Sequence, residues 1–218
     1  MTFTDAKILF SPARMQKYVR ACKGDEAKAI TLYSYNAKLS QAFFGVVSLF
    51  EVILRNAINE HYLRTLGKDW IVAQAVPNGL LDHEADEVNS TKSAYSKEGV
   101  YSHDKMVGSF TFGFWTYLFT KRNYKIGGKT LLQIFPNRVK GTTQKKVYAD
   151  ITDIREFRNR IAHHEPICFS TTGEIDTAYM ERHYVLIKEY LQFMGVKKED
   201  VLPIVYRPEE LLEEVKTL

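Results

Sequence analysis

The sequence predicts an all-α protein. Apolar residues recur at steps of three and four, the breaks between these segments carry helix caps, Gly or Pro, and no stretch has a convincing strand pattern. A chain of 218 residues with 45% hydrophobic residues can bury a substantial core. Tyr and Phe, at 13 each, point to an aromatic-rich one. With no internal repeat or low-complexity linker, residues 1–218 read as a single helical-bundle domain with additional helices.

Ser11-Pro12 is an N-cap followed by Pro at the first helical position, which predicts a helix to about Cys22. Gly24-Asp25 separates it from a second helix through Tyr35, which either continues into the next segment or kinks near Asn36. Lys38 to Leu66 is the most hydrophobic helix, with Phe43, Val47, Phe50, Leu54 and Ala57 in one stripe and Val46 and Ile53 widening it. Within it Glu51 and Arg55 are spaced for an i,i+4 ion pair, and His61 continues the apolar stripe as a core histidine would. Gly67 ends this helix, and Trp70-Ile71-Val72 is expected to pack as a lid. Pro77-Asn78-Gly79 is a turn, Leu80–Lys97 a weak surface helix or an ordered loop, and Gly99–His103 a second break.

Asp104 is expected to cap a helix running to Tyr124, with Val107, Phe110, Phe114, Tyr117, Leu118 and Phe119 on its apolar side. Lys121–Lys125, Gly127, Gly128 and Lys129 read as a basic, mobile loop. Leu131–Phe135 is a short helix ended by Pro136, and Asn137–Thr143 a second basic connection. Beyond the helix of about 142–165 treated next, a loop to Gly173 precedes a helix from about Ile175 to Met194. Lys197–Tyr206 is a short turn region, and Pro208-Glu209-Glu210 opens a last helix to Leu218 with its acids at the N-terminal end.

The helix of about 142–165 is capped by Thr142 or Thr143 and stopped by Pro166. Val147, Ile151, Ile154 and Ile161 form its apolar stripe, and Arg158 falls on the same series, where a Leu or Ile is expected. An arginine in an apolar stripe needs a reason. Asn159 and His163 share an adjacent face with Tyr148, Thr152 and Arg155, while Asp153, Glu156, Arg160 and His164 look solvent-facing.

Net charge is only +4, but its distribution is uneven. From Lys105 to Ala149 there is no Asp or Glu, while Lys121, Arg122, Lys125, Lys129, Lys145 and Lys146 all fall there. Such a stretch suits a polyanion, or is a solvated face. Cys22 and Cys168 imply no disulfide framework and fit a reducing compartment. The N-terminus has no signal-peptide pattern, and the longest apolar runs, Ala42–Phe50 and Phe110–Phe119, are too short to span a bilayer. The expectation is a cytoplasmic protein with no membrane partner.

Arg158-Asn159-Arg160-Ile161-Ala162-His163 fits R-x4-H with Asn directly after Arg. The longer run FRNRIAHHEPI, with FEVILRNAINEHY upstream and SFTFGFWTYLF between them, resembles the Abi-like (abortive infection) branch of the HEPN ribonuclease superfamily. The resemblance covers most of the chain in architecture and these stretches in motif. It implies a HEPN-like bundle and a metal-independent endoribonuclease without cofactor, acting as a toxin in phage defence. Arg158, Asn159 and His163 would be catalytic, with RNA as substrate and His164 and the 121–146 cations as substrate contacts. An antitoxin, protein or RNA, is a further candidate partner.

The residue types suit that chemistry. RNA supplies its own nucleophile in the 2′-hydroxyl, so cleavage needs a base, an acid for the leaving 5′-oxygen, and positive charge for the phosphorane. Histidine can be acid or base near neutral pH, and arginine fits phosphate with a planar fork. Asn159 and His163 lie one turn apart, and Arg158 about 140° from His163. One motif supplies one histidine, and such nucleases pair two, usually across a homodimer. The internal alternative is Arg55 and His61, an R-x5-H spacing, with Glu51 and Asn56 beside them as a second motif or as support. Arg158 could instead pair with a buried acid such as Glu51. His163, His164, Glu165 and His183 fit no standard zinc spacing. The alternative from another class is an inactive HEPN module that binds RNA or protein, as scaffold or antitoxin.

Overall fold

Side-chain capping sets several of the helix starts. In the computed structural model, which describes residues 1–205 and 207–218, Thr2 forms a capping box with Asp5 at the head of α1 (Phe3–Phe10). Ser11 caps α2 (Pro12–Ala21) by accepting from the Arg14 amide. Asp25 accepts from the Lys28 amide at the head of α3 (Glu26–Leu66), which runs 41 residues straight through Asn36. Gly67, at φ +90°, follows its end. Then come α4 (Trp70–Gln74), α5 (Ala85–Lys97), α6 (His103–Ser109), α7 (Phe112–Tyr117) and α8 (Lys121–Ile126). A 3-10 turn at Leu131–Ile134 leads to α9 (Gln144–Ala162) and α10 (Ala178–Phe193). After α11 (Lys198–Val201) and a 3-10 turn at Leu202–Ile204, α12 (Glu209–Lys216) closes the chain. Among the described residues the one β-type pairing is an isolated antiparallel bridge, Phe169 with Ile175, so the protein is all-α. Tyr206, the last residue of the expected turn region, lies outside the described residues.

Three expectations are corrected here. The helix expected from Asp104 to Tyr124 is three helices, and its first cap is Ser102, whose hydroxyl accepts from the Lys105 amide. Phe110 is extended between α6 and α7, which lets its ring stack on Phe114 at 4.1 Å. Thr120 then caps a separate helix through the Asn123 amide, so Lys121–Lys125 form α8 rather than a loop. Trp70 is no lid either. It is fully buried, against Tyr62 at 4.7 Å and Trp115 at 6.4 Å.

The chain divides into two compact units. The first comprises Met1–Leu49, Glu156–Lys188 and Lys198–Leu218. Its core joins Met15, Tyr18, Leu32, Phe43, Phe157, Ile187 and Leu212, and Tyr184 donates to Glu209 of α12 at 2.7 Å. The second comprises Phe50–Arg155 and Glu189–Lys197. Tyr62, Trp70, Trp115, Phe119, Phe135 and Tyr190 fill it, and the Tyr190 hydroxyl donates to Asp150 at 2.7 Å.

Among the described residues α3 is long and apolar enough, by length and composition, to cross a bilayer, although no uninterrupted apolar run in it is. Its Leu39, Phe43, Val46, Val47, Phe50, Leu54 and Ile58 are buried inside the protein. Cys22 and Cys168 are both free and buried, and burial pushes the Cys168 thiol up to about 12.

Candidate active site

The core face of α9 is Val147, Ile151, Ile154, Phe157 and Ile161, all buried. Phe157, not Arg158, occupies the position between Ile154 and Ile161. Its ring stacks on His183 at 4.4 Å and meets Phe43 and Tyr179 edge-on at 5.3 and 5.5 Å. Arg158 is therefore displaced to the rim and half-buried. At the other end of α9, Thr143 is the cap, accepting from the Lys146 amide at 3.2 Å.

The helix stops before Pro166 is reached. The Glu165 amide donates to the Arg160 carbonyl at 3.0 Å and the His164 amide to the Ile161 carbonyl at 2.9 Å. His164 sits at φ +56°. This is a Schellman stop with histidine at the left-handed position where glycine is usual. Three side chains fix the exit. Arg14 Nη1 donates to the His164 carbonyl at 2.8 Å, Arg160 Nη2 to the Pro166 carbonyl at 3.0 Å, and the Ile167 amide to Asn36 Oδ1 at 2.9 Å. Arg160 also pairs with Glu165 at 3.3 Å and lies 4.9 Å from the Tyr179 ring centre. Expected to face solvent, it is half-buried and braces the helix end. The Arg14 and Asn36 braces were not legible from spacing, since these residues lie 150 and 131 residues from their partners.

What the brace presents is Asn159 and His163. The His163 amide closes the last helical turn on the Asn159 carbonyl at 2.8 Å, so the two residues sit on one face. His163 is exposed and Asn159 half-buried. Among the described residues neither side chain has a hydrogen bond or ion pair. An imidazole open to solvent and an amide one turn behind it can transfer a proton and orient a phosphate, and Arg158, next to Asn159 in the chain, is a residue type that offsets phosphate charge. His164 is exposed and serves the backbone stop. His183 is not open: it is fully buried, with Nδ1 2.7 Å from the Tyr179 carbonyl and Nε2 3.2 Å from Arg182. Among the described residues no cluster of His, Cys, Asp or Glu could hold a metal. No family model matches the chain, and neither does any curated protein or solved structure.

The candidate second motif belongs to the other unit. His61 is 1% exposed, its Nε2 3.0 Å from Thr130 Oγ1. The Thr130 hydroxyl donates to the Gly127 carbonyl at 3.1 Å, so the His61 ring is the donor of that pair. Glu51 and Arg55 are half-buried and Asn56 is exposed. His61 is thus a core polar brace, closed to substrate. A neighbouring brace has no signature in the sequence: Asn59 Oδ1 accepts from Trp70 at 3.0 Å and lies 2.7 Å from His103 Nε2.

Burial lowers the pKa of His61 below the ordinary histidine value. The unfolded state then binds a proton that the folded state refuses, so stability is full above about pH 6.5 and falls as pH drops through that value. Acid titration of the unfolding midpoint is expected to show this loss, with a shallower slope in His61→Gln. An equal slope would assign the loss to other groups.

The basic stretch is only partly free. Arg122 pairs with Asp82 at 3.0 Å and Lys146 with Asp150 at 2.6 Å. Lys121, Lys125, Lys129 and Lys145 are exposed and have no acidic partner among the described residues.

Proposed function

We propose that the protein is a metal-independent endoribonuclease of the abortive-infection type, acting in the cytoplasm on cellular or phage RNA. The reading rests on one observation: His163 and Asn159 stand unengaged at a braced helix end, next to Arg158. A titratable side chain open to solvent at a helix end whose backbone is braced can meet a substrate and exchange a proton with it. The R-x4-H resemblance supports the same choice.

In the proposed reaction a histidine takes the 2′-hydroxyl proton, and the oxygen attacks the adjacent phosphorus. The P–O5′ bond breaks as a second histidine protonates the leaving oxygen. The products are a 2′,3′-cyclic phosphate and a 5′-hydroxyl. Arg158 neutralises the phosphorane, and Asn159 orients His163 or a phosphate oxygen. His61 is enclosed, so the second histidine comes from a second copy, and the working form is a homodimer.

Expression of the chain in bacterial cells is expected to arrest growth and shorten cellular RNA. The Arg158→Ala/His163→Ala double variant, at equal level, should do neither. RNA bound but left intact by the wild type would favour the non-catalytic module instead. Free lysines should set affinity rather than chemistry. Charge reversal at Lys121, Lys125 and Lys129 is expected to weaken RNA binding and flatten its salt dependence by up to about 0.7–0.9 for each phosphate that is no longer neutralised. An unchanged slope would mark them as ordinary surface.

A further inference from the structure

Opposite its core face, α9 carries a polar stripe. At about 100° per residue, Lys145, Tyr148, Thr152, Arg155, Asn159 and His163 fall within an arc of about 80° and extend over about 27 Å. The helix is unbroken from Gln144 to Ala162, and the His163 amide continues its bonding by one residue. None of the six is acidic, and each reaches the surface. The nearest acid of the helix, Glu156, lies about 20° outside the arc.

Arg155 distinguishes this stripe from an ordinary solvated face. It is half-buried, its Nε is enclosed without an acceptor, and among the described residues the guanidinium has no hydrogen bond or ion pair. Two other cations of α9 are bonded within the protein: Arg160 to the Pro166 carbonyl and Glu165, and Lys146 to Asp150. Burial of the Arg155 stem limits where its planar end can go and leaves the outer nitrogens for an anion. Tyr148 lies seven residues earlier, half-buried and with no hydrogen bond among the described residues, and Lys145 beyond it is exposed. Cations along a path with an aromatic ring among them are how proteins hold a nucleic-acid strand.

We propose that the RNA strand cut at His163 continues along this stripe, with a phosphate outside the scissile one on Arg155 and a base against Tyr148. This rests on the proposed reaction, in which Arg155 and Tyr148 position the strand and take no part in the proton transfers. Arg155 stands about 12 Å before His163 on the helix and, like every helical side chain, leans back towards the N-terminus. It therefore meets a neighbouring phosphate rather than the one being cut, and its effect depends on substrate length.

Kinetics on two substrates separate this from the reaction itself. On a long RNA oligonucleotide, Arg155→Gln and Tyr148→Ala should raise KM and leave kcat nearly unchanged. On a dinucleotide neither should differ from wild type, and Tyr148→Phe, which keeps the ring, should match wild type on both. Binding is read apart from cleavage on a 2′-O-methyl oligonucleotide, which lacks the nucleophile. There Tyr148→Ala should weaken binding by about 5- to 150-fold, the range for one stacked base. Arg155→Gln should flatten the salt dependence by about 0.7, for one phosphate no longer neutralised on a single strand. Lys17→Gln, which removes an exposed charge of α2 off the stripe, should do neither. Cross-linking needs no variant: a 5-iodouridine oligonucleotide irradiated on the wild type should mark the tryptic peptide 147–155, whose one aromatic residue is Tyr148. Cross-links confined to other peptides, or variants equal to wild type on the long RNA, overturn the stripe and leave the reaction standing. Equal losses on the long RNA and the dinucleotide would mean that the variants act on the reacting groups or the fold, and also overturn it. Binding that depends on Arg155 and Tyr148 without any cleavage of RNA supports the stripe and overturns the reaction.

Discussion

Replacing His163 by alanine is expected to lower RNA cleavage by about 10²–10⁴-fold, the range for loss of a general acid–base group. Its stability should hardly change, by about 0.5 kcal/mol or less, because the side chain is exposed and has no bond among the described residues. That pairing of a large kinetic and a small thermodynamic effect separates a reactive residue from a structural one. Arg158→Lys should also cut cleavage while keeping the charge, because an ammonium lacks the planar fork that spans two phosphate oxygens. Activity in Arg158→Lys equal to wild type would mean that Arg158 acts as a point charge only. Cleavage retained by folded His163→Ala would move the reactive centre elsewhere.

The second large effect is on stability. Phe157→Ala is expected to destabilise the unit containing Met1–Leu49 by about 3–5 kcal/mol, as truncation of a buried phenylalanine does. Its ring is fully buried among Phe43, Tyr179 and His183, and no small shift of α9 would refill the cavity. Chemical denaturation followed by circular dichroism measures the loss. A change under about 1 kcal/mol, small against that range, would mean that the stacked rings do not anchor α9. Cleavage should fall too, because the braced end of α9 depends on that anchor.

Several helices are legible from the cap or stop chemistry that marks them. Ser11-Pro12 opens α2, Gly67 follows α3, Thr143 heads α9, and the Leu131 turn stops before Pro136. The failures have physical causes. Steps of three and four tolerate an error of one residue, and neighbours on a helix are only about 100° apart, so Arg158 can be assigned the seat that Phe157 fills. Aromatic density hides the break at Phe110, since SFTFGFWTYLF keeps helical spacing whether or not the backbone turns extended in its middle. The helix α1 escapes the periodicity, although Thr2 and Asp5 carry its capping box. Of the candidate site, Asn159 and His163 are legible as a pair because i,i+4 spacing fixes a shared face. The Schellman stop at His164 and the Arg14 and Asn36 braces are not, because no local pattern announces a left-handed histidine or a bond across so long a stretch of chain.

The most direct measurement is cleavage of a defined RNA by the purified chain in excess EDTA, with the product ends identified. The wild type is expected to yield 2′,3′-cyclic phosphate and 5′-hydroxyl ends, and His163→Ala, folded and of the same mass, to yield none. Cleavage that needs an added divalent metal, or that persists at the wild-type rate in His163→Ala, would contradict a metal-independent site built on Arg158, Asn159 and His163.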